Sequence, residues 1–225
     1  QNTFKYNKLE KIASICRQIA NSTNAQLVLH LDHGASYEQV IQCLRNGFTS
    51  VMIDGSRLPL KENIRVTKEV TRAAHTVGVS VEAELGAIGG TEDGMTAKAN
   101  LVNVDDARCF LEEVTVEALA IGIGNAHGIY KSTPNLAFDR LEQVAALGGP
   151  ALVLHGGSGI PDDMIRKAIV MGIRKINVAT EVRLAFLEGF GLEVNSKDIY
   201  KAYQSAQAHA RKIISDKMSL FDTTK

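Results

Sequence analysis

The chain has 225 residues and 24.3 kDa, 45% hydrophobic and 22% charged, which suffices for one well-cored domain and argues against two independent ones. Twenty-five Lys and Arg balance 25 Asp and Glu, so the chain as a whole carries no electrostatic footprint for nucleic acid or for a polybasic membrane anchor. No apolar run approaches the roughly 18 residues of a membrane helix, the start QNTFKYNK has no secretory pattern, and three cysteines (Cys16, Cys43, Cys109) without a CxxC pair suit packing roles in a reducing cytoplasm.

In chain order, Leu9, Ile12, Cys16 and Ile19 make one apolar helical face. The apolar run 27–31 reads as a strand. Ser36 to Gln39 spells S-x-x-Q, a capping box that opens a helix carrying Val40, Ile41 and Leu44 and stopping at Gly47. Ser50 to Ile53 is a second strand, and Pro59 opens a helix with Leu60, Ile64, Thr67, Thr71 and Ala74 on one face and Gly78 at its end. Strand 79–84 follows. The stretch 91–104 is polar and small and reads as a mobile loop, after which Asp105 caps a helix with Ala107, Phe110, Leu111 and Val114. Strand 117–123, a helix near 139–147, strand 151–154, a helix from Pro161 to Gly172, strand 175–178, a helix near 181–190 and a terminal helix from about Lys197 to Met218 complete the series.

Strand then helix, six times over, describes βα units on a parallel sheet, and the continuous apolar character of several strands fits a sheet covered on both faces. A doubly wound sheet is commonly announced by GxGxxG after its first strand; here HLDHG stands in that place. Polar residues close every strand at its C-terminal end, which favours a TIM (β/α)8 barrel with its site on that rim. Six strands do not close eight, and the opening helix has no strand before it. The expectation is therefore a single α/β barrel domain over 1–225, N-terminally incomplete by two strands and a helix, roughly 45 to 55 residues at the usual unit length.

Three of the six histidines share a setting at these strand ends: His33 in HLDHG, His127 in GNAHG and His155 in LHGGSG. A parallel barrel would bring them to one rim, which is what a catalytic zinc with three nitrogen ligands requires; three unrelated loop histidines are the alternative. His30 is expected to face strand packing, and His75 and His209 lie within helices. Carboxylates gather on the same rim: Asp32, Asp54 in MIDGS, Glu82 and Glu84 in VEAELG, and Glu92 in GGTEDG. Glu82 and Glu84 share strand parity, so both face the same side. The turns after the last two strands, HGGSGIP and NVATE, offer backbone N–H groups, hydroxyls and helix N-termini to an anion at the recurrent phosphate position of the fold.

At HLDHG, MIDGS, EAELG, GGTEDG, GNAHGIYK, LVLHGGSGIP and KINVATE, in this order over about residues 27 to 190, the chain resembles the class II, zinc-dependent ketose-bisphosphate aldolases. The resemblance implies that His33, His127 and His155 hold Zn2+, with Glu84 at an alternative metal position and Asp54 beside it or at a second one. It implies Asp32 as the acid/base at the hydroxyl and Glu92 as the carboxylate that exchanges the proton of the dihydroxyacetone phosphate carbon through an enediolate. Gly128, Gly156, Ser158, Asn177 and Thr180 match positions around that phosphorylated moiety, with a monovalent cation, Na+ or K+, nearby. The implied partners are a phosphorylated ketose, triose phosphates and further copies of the chain in a homodimer or homotetramer. Ala179 in KINVATE resembles the tagatose-bisphosphate branch, so tagatose 1,6-bisphosphate is the expected substrate and fructose 1,6-bisphosphate the alternative. A non-catalytic sugar-phosphate-binding subunit is a more remote reading, and a Schiff base on Lys175 would leave three rim histidines idle.

Overall fold

A computed structural model describes residues 8–92, 95–97 and 100–222, with side chains described over 8–90 and 100–222. The elements run α1 (Leu9–Asn21), β1 (His30–Gly34), α2 (Tyr37–Arg45), β2 (Ser50–Ile53), α3 (Leu60–Thr76), β3 (Ser80–Leu85), β4 (Gly89–Glu92), β5 (Met95–Ala97) and α4 (Val104–Glu113). They continue as β6 (Ala118–Ile121), β7 (Ala126–His127), α5 (Phe138–Ala145), β8 (Ala151–Leu154), α6 (Asp162–Val170), β9 (Ile173–Ile176), α7 (Thr180–Glu193), a 3-10 turn at Val194–Ser196 and α8 (Ile199–Phe221). Among the described residues no helix is long and apolar enough to cross a membrane.

Six strands form one parallel sheet in the order β1-β2-β3-β6-β8-β9. The order never reverses, so the sheet has no topological switch point and winds as a barrel does. It is also curled. Laid flat, six strands at about 4.8 Å spacing would set the edge strands about 24 Å apart, yet Asn177, one residue past β9, donates its side-chain amide to Asp32 of β1 at 3.1 Å. The two faces divide the sequence with period two. Leu31, Val51, Ile53, Val81, Ala83, Leu85, Leu119, Ile121, Leu152 and Leu154 join the helices in the main core, whereas Met52, Ala120 and Val153 form a small cluster on the concave side. The concave face is therefore thinly filled with apolar atoms, and Glu82, Glu84 and His155, each buried, occupy the remainder.

Several boundaries move for physical reasons. The run 27–31 is apolar, but β1 begins only at His30, where Ser50 first offers it a partner; Leu27 and Val28 stay 51% and 68% exposed. The stretch 91–104 expected to be a loop instead takes in the end of β4 and all of β5, an antiparallel pair, and β4 also pairs in parallel with β7, Gly90 opposite His127. Expected strand 117–123 is shortened to Ala118–Ile121 in the main sheet, and beyond it an unexpected strand, Ala126–His127, meets β4. Asn103, not Asp105, caps α4, its side-chain oxygen accepting from the Asp105 and Asp106 amides.

Ser36 caps α2 as read, its Oγ accepting from the Gln39 amide at 3.2 Å, but the return bond is shifted by one residue: Gln39 Oε1 accepts from the Ala35 amide at 2.8 Å and not from that of Ser36. Ser36→Ala is expected to lower unfolding stability by about 1 kcal/mol, measured as a shift of the urea midpoint at constant slope.

Candidate functional site

Neighbouring residues on a regular strand point to opposite faces, so Asp32 and His33 ought not to serve one site. The register shows how they do. Leu31 faces Val51 and Gly34 faces Ile53, which inserts one extra residue into β1, and His33 takes a left-handed φ of 48°. Such a bulge re-aims a side chain. Asp32 is thereby left toward Asn177, while His33 turns inward to Asp54 and His155. A non-glycine residue at positive φ inside a strand is a strained conformation, and it sits where the ring has to be placed.

His127 arrives on β7, stitched to β4, and His155 follows β8 directly. Two side chains lock these segments to each other. Asn125, fully buried, donates to the His155 carbonyl at 3.0 Å and accepts from the Ile123 amide at 2.8 Å. The Tyr130 hydroxyl accepts from the Ala126 amide at 2.7 Å and donates to the Gly156 carbonyl at 3.1 Å. Gly156 has φ +62°, and a Cβ there would lie 2.2 Å from the Ala126 carbonyl oxygen. Gly156→Ala is expected to push the two segments apart and to cost about 1 to 3 kcal/mol, read from thermal or urea unfolding.

The three rings converge. Their centroids are 5.0 Å apart for His33 and His127, 4.7 Å for His33 and His155, and 5.9 Å for His127 and His155, and one nitrogen from each lies within 4.8 Å of the others. Carboxylates hold two of them from behind. His33 Nδ1 is 2.8 Å from Asp54 Oδ2, and His155 Nε2 is 2.8 Å from Glu82 Oε1. A carboxylate only accepts, so the protons sit on those two nitrogens and the lone pairs on His33 Nε2 and His155 Nδ1, which face each other at 2.9 Å. Neutral imidazoles with carboxylate-anchored far nitrogens are the usual setting for metal ligands.

Burial raises the Asp54 carboxyl, but the hydrogen bond from His33, with two bonds from Ser56, outweighs it and holds the group down to about 2. Glu82 follows the same pattern: burial opposes ionisation, and His155 and Lys175 bring the carboxyl to about 2. Glu84 goes the other way, pushed up to about 8 by burial and then by the Asp54 charge. Its Oε2 is buried without a hydrogen-bond partner among the described residues and lies 3.8 Å from His33 Nδ1 and 3.9 Å from His155 Nδ1. A buried orphan oxygen beside two imidazoles fits a divalent ion. His33, Asp54 and Glu84 form a second group able to hold one.

Beside the histidines opens a cavity of about 540 Å³, within the range of small-molecule sites. Asp32, His127, Gly128, Gly156, Ser158, Asn177 and Thr180 all contribute to its wall. Ser158 Oγ accepts from the Glu181 amide at 3.2 Å, which leaves its O–H to donate. Glu92 lies on β4 opposite Met95; its side chain is outside the described residues.

His30 corrects an expectation. Expected to pack within the strand layer, it points into the barrel among polar groups, Nδ1 2.8 Å from Ser50 Oγ and Nε2 3.6 Å from Glu82 Oε2, and burial, followed by the Lys175 charge, lowers it to about 4. Sequence reading also missed the locking roles of Asn125 and Tyr130 and the cation Arg183, which lines the cavity from the first turn of α7. The only signal for Arg183 is its spacing, one helical turn beyond Thr180.

Comparison with known proteins follows the same lines. The model of the family "Fructose-bisphosphate aldolase class-II" matches residues 1–225. A fructose-bisphosphate aldolase of Streptococcus pyogenes serotype M3 is 44% identical over 201 residues, 88% of this chain and 64% of that protein, so the chain spans somewhat under two thirds of its length. Among solved structures, the YdjI aldolase of Escherichia coli K12 superposes with a TM-score of 0.88 at 29% identity, over 99% of this chain and 79% of that one. The fructose-bisphosphate aldolase of Campylobacter jejuni superposes with a TM-score of 0.76 over 95% of this chain and 75% of that one; at 21% identity it bears on the fold alone.

Proposed function

The chain belongs to the class II fructose-bisphosphate aldolase family, and from that premise we propose that the protein reversibly splits a ketose 1,6-bisphosphate into dihydroxyacetone phosphate and glyceraldehyde 3-phosphate. The observation that carries the proposal is the convergence of His33, His127 and His155 beside a cavity whose wall includes Asp32. In this reading the three histidines hold zinc, Asp54 orients His33, and Glu84 is a further donor at an alternative position. Zinc, when bound, supplies Lewis-acid stabilisation of the negative charge that carbon–carbon cleavage leaves on the ketone fragment.

The chain's own groups do the rest. Asp32 takes the proton of the C4 hydroxyl as the C3–C4 bond breaks, the electron pair stays on C3, and Glu92 returns a proton to that carbon. Asn177, donating to Asp32 Oδ1, fixes one carboxylate oxygen and leaves the other to the substrate. Gly128, Gly156, Ser158 and Thr180, with the N-terminus of α7 and the Arg183 cation, take the phosphate of the dihydroxyacetone moiety, with Na+ or K+ as its companion.

The names of the relatives favour fructose 1,6-bisphosphate over the tagatose ester that Ala179 suggested, and fructose 1,6-bisphosphate is the substrate we put first. Exposed Leu187, Leu192 and Tyr200 on the α7–α8 hairpin support assembly of several copies. The test is a pair of cleavage assays on the two sugars, before and after EDTA. Release of dihydroxyacetone phosphate, lost with chelation and restored by zinc, is expected. Turnover that ignores the chelator, or metal-loaded protein inert on both sugars, removes the reading.

A further inference from the structure

β9 carries one residue more than β8 can match: Leu152 faces Ile173, but Val153 faces Lys175. The extra residue, Arg174, is exposed and its guanidinium caps the Ile169 and Ile173 carbonyls at 2.9 and 3.0 Å. Lys175 is thereby set level with Val153, whose side chain is on the concave face, and its ammonium reaches across the barrel to Glu82 Oε2 at 2.7 Å. The other oxygen of the same carboxylate is the one on His155 Nε2 at 2.8 Å. A strand irregularity, a lysine and a buried glutamate thus form one line ending on the far nitrogen of a proposed zinc ligand. The cleavage chemistry above uses neither Lys175 nor Glu82.

We infer that Lys175 and Glu82 are a positioning pair for the metal: Lys175 fixes the Glu82 carboxylate, and Glu82 holds His155 so that Nδ1 faces the ion. The inference rests on the reading that His33, His127 and His155 bind zinc. Glu82 is 1% exposed and His155 fully buried, so water cannot substitute for either partner. Without the lysine, the carboxylate has no fixed charge on its Oε2 side, and nothing sets the plane in which Oε1 meets the imidazole. His30, at 3.6 Å from Oε2, is too far to take over as a hydrogen-bond donor. Loss of a partner that orients a metal-bound histidine typically weakens binding 10- to 100-fold.

The test titrates metal-stripped protein with Zn2+ against a chromophoric chelator and with Co2+ by visible absorption, in the unsubstituted chain and in Lys175→Met, Lys175→Arg and Glu82→Gln. Lys175→Met and Glu82→Gln are expected to weaken zinc about 10- to 100-fold and to shift the cobalt bands, and Lys175→Arg to recover most of both. Lys175→Met with unchanged affinity and unchanged bands overturns the inference, as does a Lys175→Met protein that is less stable without metal yet keeps the cobalt spectrum. Should Glu82→Gln fail to fold, the Lys175 pair decides alone. An unsubstituted chain that binds neither ion fails the zinc reading itself and takes the inference with it; normal binding there with an indifferent Lys175→Met removes only the positioning role.

Discussion

Asp32→Asn is expected to lower ketose-bisphosphate cleavage about 100- to 10,000-fold, the range for a positioned acid or base, with zinc content unchanged. The two halves of that result follow from the bulge in β1. It separates Asp32 from its neighbour: His33 turns to the metal-facing rings and to Asp54, whereas Asp32 stands on the cavity wall with Asn177. Neither group of candidate metal donors includes Asp32. Asparagine keeps the shape and still offers Asn177 an acceptor, but it cannot take a hydroxyl proton at neutral pH. Single-turnover cleavage together with metal analysis of the same sample checks the result. Undiminished turnover takes away the role of Asp32, and loss of zinc along with activity means that Asp32 belongs to the metal site instead.

That separation marks the limit of what the residues alone disclosed. Apolar runs and helix ends carry the βα alternation because both depend on local chemistry: a strand buried on two faces reads as continuous hydrophobicity, and Ser36 with Gln39 satisfies amides within its own turn. The three histidines were legible from their common place after strands. Register was not. The bulges at Asp32–His33 and Arg174 arise from pairing between strands, and they decide which way Asp32, His33 and Lys175 point. For the same reason β4 and β7 escaped notice, since each is short and acquires strand geometry from its pairing partners, β5 and β7 for the one and β4 for the other.

Chelation of the metal is expected to end cleavage and to lower the unfolding midpoint by about 8 to 16 °C. Ligand present at about 1,000 times its dissociation constant stabilises the folded state by about 4 kcal/mol, and each kcal/mol shifts a domain of this size by about 2 to 4 °C. The site has reason to gain that much: Asp54, Glu82 and Glu84 crowd the same interior, and Glu84 Oε2 is buried with no hydrogen-bond partner among the described residues. His127→Ala is the variant that locates the ion. Its ring is half-buried at the rim, so truncation leaves the metal-free fold near its original stability, whereas removing the buried His155 would also strip the buried Glu82 of one of its two donors. A site built on His33, His127 and His155 loses a third of its protein ligands in His127→Ala, and the zinc-dependent rise in midpoint should largely disappear. A site built on His33, Asp54 and Glu84 does not contain His127. An undiminished rise in His127→Ala, followed by differential scanning calorimetry at matched free zinc, would therefore put the ion on the carboxylates and leave the three-histidine cleavage chemistry without its metal.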